Sequence, residues 1–310
     1  MHPSGAQHEI EFGDQWACAV EVGGGLRAYS VQGRPMLEGY ATDELCQAAR
    51  GQALAPWPNR IAGGAYSFDG EQQQLPITEP STGNAIHGLV RWDNWELADR
   101  GDDRVALEYV LHPQPGYPFA VHLRVEYRLD AGGLTVTTAA TNVGDRACPF
   151  GLGHHPYLAG APTVDELVLH VPARTPADFA EPHAIGDTML DTTYHDLERD
   201  DDGLVRIRAG DTTLWADEAY GYIQVFTGDL PDVARRGLAV EPDDVPAAGV
   251  PHRRGVDPAR ARRAHRGPLG NRTGSPGRLA RSDRPPPRGA GLLMGTGLAR
   301  QFREFSCQVE

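Results

Sequence analysis

Lysine is missing from this sequence, in which all 29 basic residues are arginine. The phosphate-binding loop of nucleotide hydrolases ends in a lysine, so the glycine-rich segments at 23–25 and 62–67 are better interpreted as turns. Cysteine is scarce, and no two cysteines form a CxxC pair: Cys18, Cys46, Cys148 and Cys307. This scatter excludes a disulfide framework and a cysteine-ligated zinc site, and it is typical of a reducing compartment.

Long apolar segments are also missing. No run approaches the roughly 18 residues that a membrane span requires. The first 14 residues are polar and acidic, unlike a secretory signal peptide. We therefore expect a cytoplasmic protein with no membrane partner.

Two kinds of catalytic motif are absent as well. The sequence has no GxSxG segment, and no serine is flanked as a hydrolase nucleophile would be. It also has no HxH or HxxxH pair. His154 and His155 are adjacent, so on a strand they point to opposite faces and cannot easily share an ion. We therefore expect no metal site.

Charge is distributed unevenly along the chain. The 42 acidic residues exceed the 29 arginines, and the formal net charge is −13. Residues 1–250 have a net charge of −22, whereas residues 251–310 have a net charge of +9. Because an acidic body repels phosphate backbones, nucleic acid is a poor partner, and neutral or weakly charged ligands are expected.

Apolar and polar residues alternate in many short segments. The clearest lie at 105–111, 121–129 and 134–140, with looser examples at 167–171 and 222–226. A period of two over five or more residues indicates half-buried strands. The segments between them are rich in turn-forming residues, and none keeps a helical period over three turns. The pattern predicts an all-β protein, a large antiparallel sandwich or barrel.

Acid–base catalysis is the chemistry that remains. Glu241 follows the apolar segment LAV, which places its carboxylate at a strand end in a partly buried position. Burial raises the pKa of a carboxylate and makes it a better base near neutrality. A histidine can hold a proton near pH 7 and deliver it. Taken alone, Glu241 fits an ordinary strand-end charge better.

Six segments carry a family resemblance by their content and order. They are NRIAGGAYSFDG (59–70), NAIHGLVRWDNWEL (84–97), PGYPFAVHLRVEYRL (115–129), LTVTTAATNVGDRACPFGLGHHPYL (134–158), LDTTYHDL (190–197) and GLAVEPDD (237–244). Over about residues 10–244 the chain resembles the aldose 1-epimerase (galactose mutarotase) family. The resemblance implies a large antiparallel β-sandwich of the supersandwich type. It also implies a monomeric or dimeric isomerase that interconverts the α and β anomers of aldohexoses with no metal or organic cofactor.

The resemblance implies roles for five residues. Glu241 would take the proton from the anomeric O1 hydroxyl, and His155, in an H-[SP]-Y-[FL] motif, would protonate the ring oxygen. Arg60 of the NRI motif and Asp191 of the D-x-x-[FY] motif would bind the sugar. His87 of the HG motif would contact the ring or support the acid.

Three neighbouring residues are expected to be structural. His154 would lie on the face opposite His155. Trp92 and Trp95 could stack on a sugar, but packing in the core is the expected role of both.

Two other functions stay open. A hexose-6-phosphate 1-epimerase would need further cations near C6 of the sugar, which the acidic body disfavours. A sugar-binding module without activity on the same fold is disfavoured because His155 and Glu241 are both present.

After Glu241–Pro242 the family would continue with a Pro-containing loop and a closing strand, but here a segment rich in Arg, Pro and Gly follows. We therefore predict a mutarotase-like sandwich domain at 1–244 and an aberrant tail at 245–310. Residues 251–300 contain no aromatic residue and few apolar ones, which predicts disorder. No closing strand is recognisable, so one sheet would keep an unpaired edge and favour aggregation.

The tail has two explanations. It is either a basic arm that binds an anionic partner, or the product of a shifted coding frame, because GC-rich DNA read out of frame yields Arg, Pro, Gly and Ala. The frameshift, soon after Glu241, is the favoured hypothesis, since the loss of resemblance coincides with the reversal of charge.

Overall fold

Strands make up nearly all the regular structure of the computed structural model, which describes residues 1–159, 163–231, 234–246 and 302–309. In chain order they are β1 (Gln7–Phe12), β2 (Gln15–Val20), β3 (Leu26–Val31), β4 (Arg34–Pro35), β5 (Ala53–Leu54), β6 (Arg60–Ile61), β7 (Ala65–Phe68), β8 (Glu71–Gln74), β9 (Ala85–Ile86), β10 (Glu96–Arg100), β11 (Arg104–Leu111), β12 (Val121–Asp130), β13 (Gly133–Asn142), β14 (Gly153–His154), β15 (Tyr157–Leu158), β16 (Val168–His170), β17 (Ala173–Thr175), β18 (His183–Ala184), β19 (Asp191–Leu197), β20 (Val205–Ala209), β21 (Thr212–Ala216), β22 (Tyr222–Phe226), β23 (Leu238–Asp243) and β24 (Phe302–Val309). The helices of the described ranges are two single 3₁₀ turns, Ala62–Gly64 and Val164–Glu166. In this part of the chain, no helix has the length and hydropathy that a membrane crossing requires.

The strands form two large antiparallel sheets and three small ones. The order of the nine-stranded sheet is β10-β11-β12-β13-β24-β21-β20-β16-β18. The order of the seven-stranded sheet is β17-β19-β22-β23-β14-β5, and β15 pairs with β23 off this path. Strands β1–β4 form a four-stranded sheet, while β6 pairs with β9 and β7 with β8. All five segments predicted from alternating hydrophobicity contain strands, namely β11, β12, β13, β16 and β22.

The two large sheets face each other and enclose the apolar core. Every second residue of β12, from Val121 to Leu129, is buried, and Val225 and Val240 of the seven-stranded sheet belong to the same core cluster. A polar contact also joins the sheets, since Nε2 of His154 lies 2.9 Å from Oγ1 of Thr138. The predicted all-β antiparallel sandwich is confirmed.

The seven-stranded sheet has a second buried face, on the side away from the core. Side chains alternate along a strand, so Val240 points into the core while Glu241, its neighbour on β23, points to the other side. His154 and His155 divide in the same way, as the sequence predicted. This outer face therefore receives the polar side chains that the sandwich core excludes.

The end of the chain differs from expectation. Strand β24 lies inside the nine-stranded sheet, where it pairs with β13 from Leu134↔Val309 to Thr141↔Phe302 and with β21 at three positions. The expectation that no closing strand follows residue 244 is therefore wrong, as is the unpaired edge derived from it. The sequence pattern that indicates this strand is short, since only Phe305, Cys307 and Val309 alternate with polar residues. The predicted disorder of residues 251–300 lies outside the described residues, so it stays a prediction, as do the frameshift soon after Glu241 and the division at 244/245.

We expect Gln308→Pro to destabilise the protein, because Gln308 is paired on both sides, with Thr135 and Trp215. Proline removes a ladder N–H from a central strand, and a buried group left without its partner costs about 1–3 kcal/mol. The melting temperature should fall by several degrees relative to Gln308→Thr, which keeps the N–H. Equal melting curves of the two variants, followed by circular dichroism, would show that β24 does not stabilise the sheet.

Candidate active site

A row of polar side chains lies on the outer face of the seven-stranded sheet. Thr193 of β19 lies opposite Gln224 of β22, and Gln224 lies opposite Glu241 of β23. The pairs Gly153↔Asp243 and Tyr157↔Ala239 bracket the position across from Glu241. That position is His155, so strand register alone brings the predicted acid and base together.

His155 and Glu241 form a buried pair. Nε2 of His155 lies 3.3 Å from Oε1 of Glu241, and their side chains are 5% and 3% exposed. Nδ1 of His155 and Oε2 of Glu241 have no hydrogen-bond partner among the described residues. A buried polar atom without a partner is costly in a folded protein. The fold therefore holds an acid–base pair with unused hydrogen-bonding capacity.

Burial shifts both members of this pair toward their neutral forms. It raises the pKa of the Glu241 carboxyl well above its ordinary value, with a further rise from Asp191 and an opposing effect from Arg60. Burial also lowers the pKa of His155 to about 3, helped by the positive charge of Arg91. Both shifts favour the state in which the one titratable proton of the pair is on Glu241 and His155 is neutral.

Aromatic rings fix the orientation of His155. The ring of Tyr157 stacks on it, with centroids 5.1 Å apart and planes 9° apart, and His87 meets it edge-on at 5.1 Å. The backbone is held too, because His155 accepts from the N–H of Gly51 at 2.8 Å and donates to the carbonyl of Gln52 at 3.2 Å. The imidazole therefore has little freedom to turn away from Glu241.

His87 lies in a tight loop that fixes its tautomer. His87 and Asn59 both have left-handed backbones, with φ of 59° and 52°. The N–H of Asn59 donates to Nδ1 of His87 at 3.2 Å, and the N–H of His87 donates to the carbonyl of Asn59 at 2.9 Å. The next residue must be Gly88, since its φ is +73° and a Cβ there would lie 2.0 Å from the carbonyl oxygen of Ala55. With Nδ1 accepting, neutral His87 carries its proton on Nε2 and offers a donor to a ligand.

One group of described residues has the composition of a metal site. Ligand atoms of His87, His155 and Glu241 all lie within 4.8 Å of one another. Nδ1 of His87 is occupied by the Asn59 N–H, and Nε2 bears the proton of the neutral ring, so His87 has no free lone pair for an ion. This arrangement suits hydrogen bonding to a ligand better than metal coordination.

Arg60 and Asp191 form the second half of the site. The Arg60 guanidinium makes two bonds to Glu79, of 2.8 and 2.9 Å, and its Nη1 lies 3.7 Å from Oδ2 of Asp191. Gln224 donates from Nε2 to Oδ1 of Asp191 at 2.6 Å and accepts from the hydroxyl of Thr193. Arg60 is therefore held by Glu79, and Asp191 is held by Gln224.

The structure brings all five predicted site residues together: Arg60, His87, His155, Asp191 and Glu241. Sequence reasoning missed the residues that position them, Asn59, Glu79 and Gln224. Asn59 stands in the NRI motif beside Arg60, so it could have been found there, whereas Glu79 and Gln224 carry no local signal. Trp95 is buried in the core as expected, but the same expectation is wrong for Trp92, which is 54% exposed.

The family of this chain follows from comparisons with known proteins. A family model described as Aldose 1-epimerase matches residues 17–255. The chain belongs to the aldose 1-epimerase family. It is similar to the uncharacterized protein YihR of Escherichia coli K12, with 33% identity over 275 residues that cover 79% of this chain and 86% of YihR. A shorter match, 32% identical over 134 residues, covers 40% of this chain and 37% of the aldose 1-epimerase of Escherichia coli K12.

Solved structures show the same fold at low sequence identity. The GalM/aldose epimerase homologue from C. elegans is 19% identical, with a TM-score of 0.67 over 77% of this chain and 89% of that chain. A galactose mutarotase-like protein from Clostridium acetobutylicum is 13% identical, with a TM-score of 0.66 over 97% of this chain and 94% of that chain. The sandwich is thus a galactose mutarotase-like fold.

We expect Glu241→Gln to stabilise the protein, and to do so more at higher pH. A carboxyl whose pKa is raised by folding stabilises the native state below its ordinary pKa of 4.5, and this contribution is lost as pH rises toward the folded-state pKa. The glutamine amide does not titrate, so the variant should melt at a higher temperature than the wild type at pH 8 and at nearly the same temperature at pH 5.

The matched control is Glu108→Gln, which changes a carboxylate that is 40% exposed on the other large sheet. Its effect on melting should be small and similar at both pH values. A Glu241→Gln variant that gains no stability between pH 5 and pH 8 would contradict the raised pKa of Glu241.

Proposed function

We propose that this protein is an aldose 1-epimerase that interconverts the α and β anomers of an aldohexose by opening and closing the sugar ring. The observation that carries the proposal is the buried pair of His155 and Glu241, 3.3 Å apart, beside the Arg60–Asp191 contact. The reaction needs one base and one acid around the C1–O5 unit of the sugar. A cytoplasmic location stays part of this proposal.

Ring opening moves two protons. When sugar binds, the proton of the pair passes from Glu241 to His155, which forms a carboxylate and an imidazolium. Glu241 then takes the proton of the O1 hydroxyl while His155 gives its proton to O5. The C1–O5 bond breaks, its electron pair stays on oxygen, and C1 becomes the aldehyde carbon.

Ring closure is the same step in reverse. After rotation about C1–C2, His155 takes the proton from the O5 hydroxyl, O5 attacks the other face of C1, and Glu241 returns a proton to O1. The pair holds one proton before and after each step, so no net proton enters or leaves. General acid–base assistance of roughly 10²–10⁴ per group accounts for useful acceleration, since the uncatalysed exchange already runs in water.

Orientation of the sugar is the role we assign to Arg60, Asp191 and His87. Glu79 and Gln224 hold the first two side chains, so their free lone pairs and N–H groups are already placed for hydroxyls. The Nε2–H of His87 adds a donor beside His155. Fixed polar groups reduce the entropy lost on reaching the reactive geometry.

Two other functions receive less support. A non-catalytic sugar-binding module needs no buried acid–base pair with unpartnered atoms, because such a pair lowers stability. A hexose-6-phosphate epimerase needs a cation near C6 of the sugar, and Arg60 is neutralised by Glu79 within the site.

We expect the wild type to accelerate the change in optical rotation of freshly dissolved α-D-glucose or α-D-galactose. Glu241→Gln and His155→Asn should each lower kcat at least about 100-fold, because each removes one general catalyst. Sugar binding, measured by calorimetry, should largely persist. A panel of aldoses in the same polarimeter would identify the preferred sugar.

The chain offers a matched control for this experiment. His122 and Glu108 on the nine-stranded sheet are also 3.3 Å apart, but their side chains are 33% and 40% exposed. His122→Asn and Glu108→Gln should keep wild-type kcat. Near-normal kcat in either site variant would refute its catalytic role, and binding without acceleration by the wild type would favour the module.

The pH dependence of kcat/KM should follow the single proton of the pair. Because the pKa of His155 lies at about 3 and that of Glu241 is raised, a second proton binds only in strong acid, and the one proton leaves at high pH. Activity should therefore stay level from pH 7 down to pH 5 and fall on the alkaline side, as polarimetry in matched buffers would show. A fall centred near pH 6.5 on the acid side would mean that an ordinary histidine limits the reaction.

A further inference from the structure

Asp243 is a buried carboxyl of the site that the proposed reaction does not use. It lies two residues after Glu241 on β23, so both side chains point to the same face, with their Cα atoms about 6.6 Å apart. Asp243 is fully buried, and neither carboxyl oxygen has a hydrogen-bond partner among the described residues. Oε2 of Glu241 is likewise unpartnered, so three orphaned carboxyl oxygens occupy one face of one strand.

The fold makes room for this carboxyl. Asp243 pairs with Gly153 of β14 on one side and with Tyr222 of β22 on the other. A Cβ on Gly153 would lie 2.1 Å from Oδ1 of Asp243 and 2.7 Å from Cβ of Pro58. The φ of Gly153 is not in the left-handed region, so space, rather than backbone conformation, requires glycine there.

The surroundings of the two carboxyls differ in charge. Glu241 faces His155 from the β14–β15 connection, Arg60 from β6 and Asp191 from β19, so two groups that are or can become cations favour its ionised form. Among the described residues, no cation favours the ionised form of Asp243. Burial raises its pKa well above the ordinary value, and the charges of Glu241 and Asp244 raise it further.

Of two neighbouring carboxyls that cannot easily ionise together, the one beside cations ionises first. Glu241 therefore becomes the carboxylate when His155 takes the proton, and Asp243 stays a neutral acid. A protonated carboxyl has one O–H to donate, and the unpartnered acceptor on the same strand face is Oε2 of Glu241.

We propose that Asp243 is a positioning residue of the site: it remains protonated at neutral pH and donates a hydrogen bond, through one bridging water, to Oε2 of Glu241, which stabilises the carboxylate form of the base. The effect on turnover rests on the function proposed above. The protonation of Asp243 does not rest on it and is measurable without substrate.

Infrared spectroscopy tests the protonation directly. The spectrum of the wild type at pH 7 minus that of Asp243→Asn should contain the carbonyl band of a protonated carboxyl. Asparagine has almost the same shape and cannot ionise, so the variant should fold. Carboxylate bands in the difference spectrum would overturn the proposal, whatever the protein catalyses.

Kinetics test the hydrogen bond. Asp243→Asn keeps an N–H donor and should retain kcat within about threefold, with the alkaline limb of kcat/KM unmoved. Asp243→Ala has no donor, so kcat should fall about tenfold, and the limb should move to higher pH by about one unit because Glu241 ionises less readily. The control is Asp244→Asn, whose carboxylate accepts the N–H of Leu152 at 2.7 Å; it should keep wild-type kcat and the wild-type limb.

Three results would refute the role. A limb that moves to lower pH in Asp243→Asn would mean that Asp243 is ionised and acts by repulsion. A lower kcat in Asp243→Ala with an unmoved limb would mean a packing role only. Wild-type kinetics in Asp243→Ala would mean no role. If the wild type does not accelerate mutarotation, the proposed function fails, and the infrared result still decides the protonation of Asp243.

Discussion

The exclusion of water from the pair of Glu241 and His155 is the constraint on which the rest of the site depends. A carboxylate or an imidazolium is costly to bury, so each residue is driven toward its neutral form. Burial raises the pKa of Glu241 and lowers the pKa of His155. The two groups, which are 3.3 Å apart, therefore share one titratable proton. In the free protein this proton is held by Glu241, and the proposed reaction requires it to pass to His155 when sugar binds.

The sandwich creates this environment by alternation along its strands. Val240 and His154 point into the core, while Glu241 and His155 point to the opposite face of the same sheet. A slip of one residue in β23 would bury Glu241 among the core side chains and remove it from the site. Packing of the core thus sets the register, and the register sets the distance between acid and base.

Several residues around the pair of Glu241 and His155 position the other side chains of the site. Glu79 holds Arg60 with two hydrogen bonds, and Gln224 joins Asp191 to Thr193. The N–H of Asn59 donates to His87 and so holds its ring in one tautomer. Both residues have a left-handed backbone, a conformation that non-glycine residues rarely adopt. Left-handed Asn59 and His87 thus lie beside the unpartnered polar atoms of His155 and Glu241.

The sequence by itself determined five of the strands, the all-β class and the family, because alternation and ordered motifs are local properties of the chain. It also named the five residues that meet at the site, although only through the resemblance; Glu241 alone resembled an ordinary strand-end charge. It misjudged the end of the chain, because one alternating segment of eight residues after a long Arg-, Pro- and Gly-rich stretch is a weak signal for β24.

Tertiary structure decided what depends on contacts between distant segments. Gln224 and Glu79 became site residues only when β22 and the loop before β9 were placed beside Asp191 and Arg60. Trp92 and Trp95, three residues apart in one motif, differ in exposure because only Trp95 reaches the core. The pKa shifts of Glu241 and His155 likewise follow from burial, and burial is set by the packing of sheets rather than by neighbours in sequence.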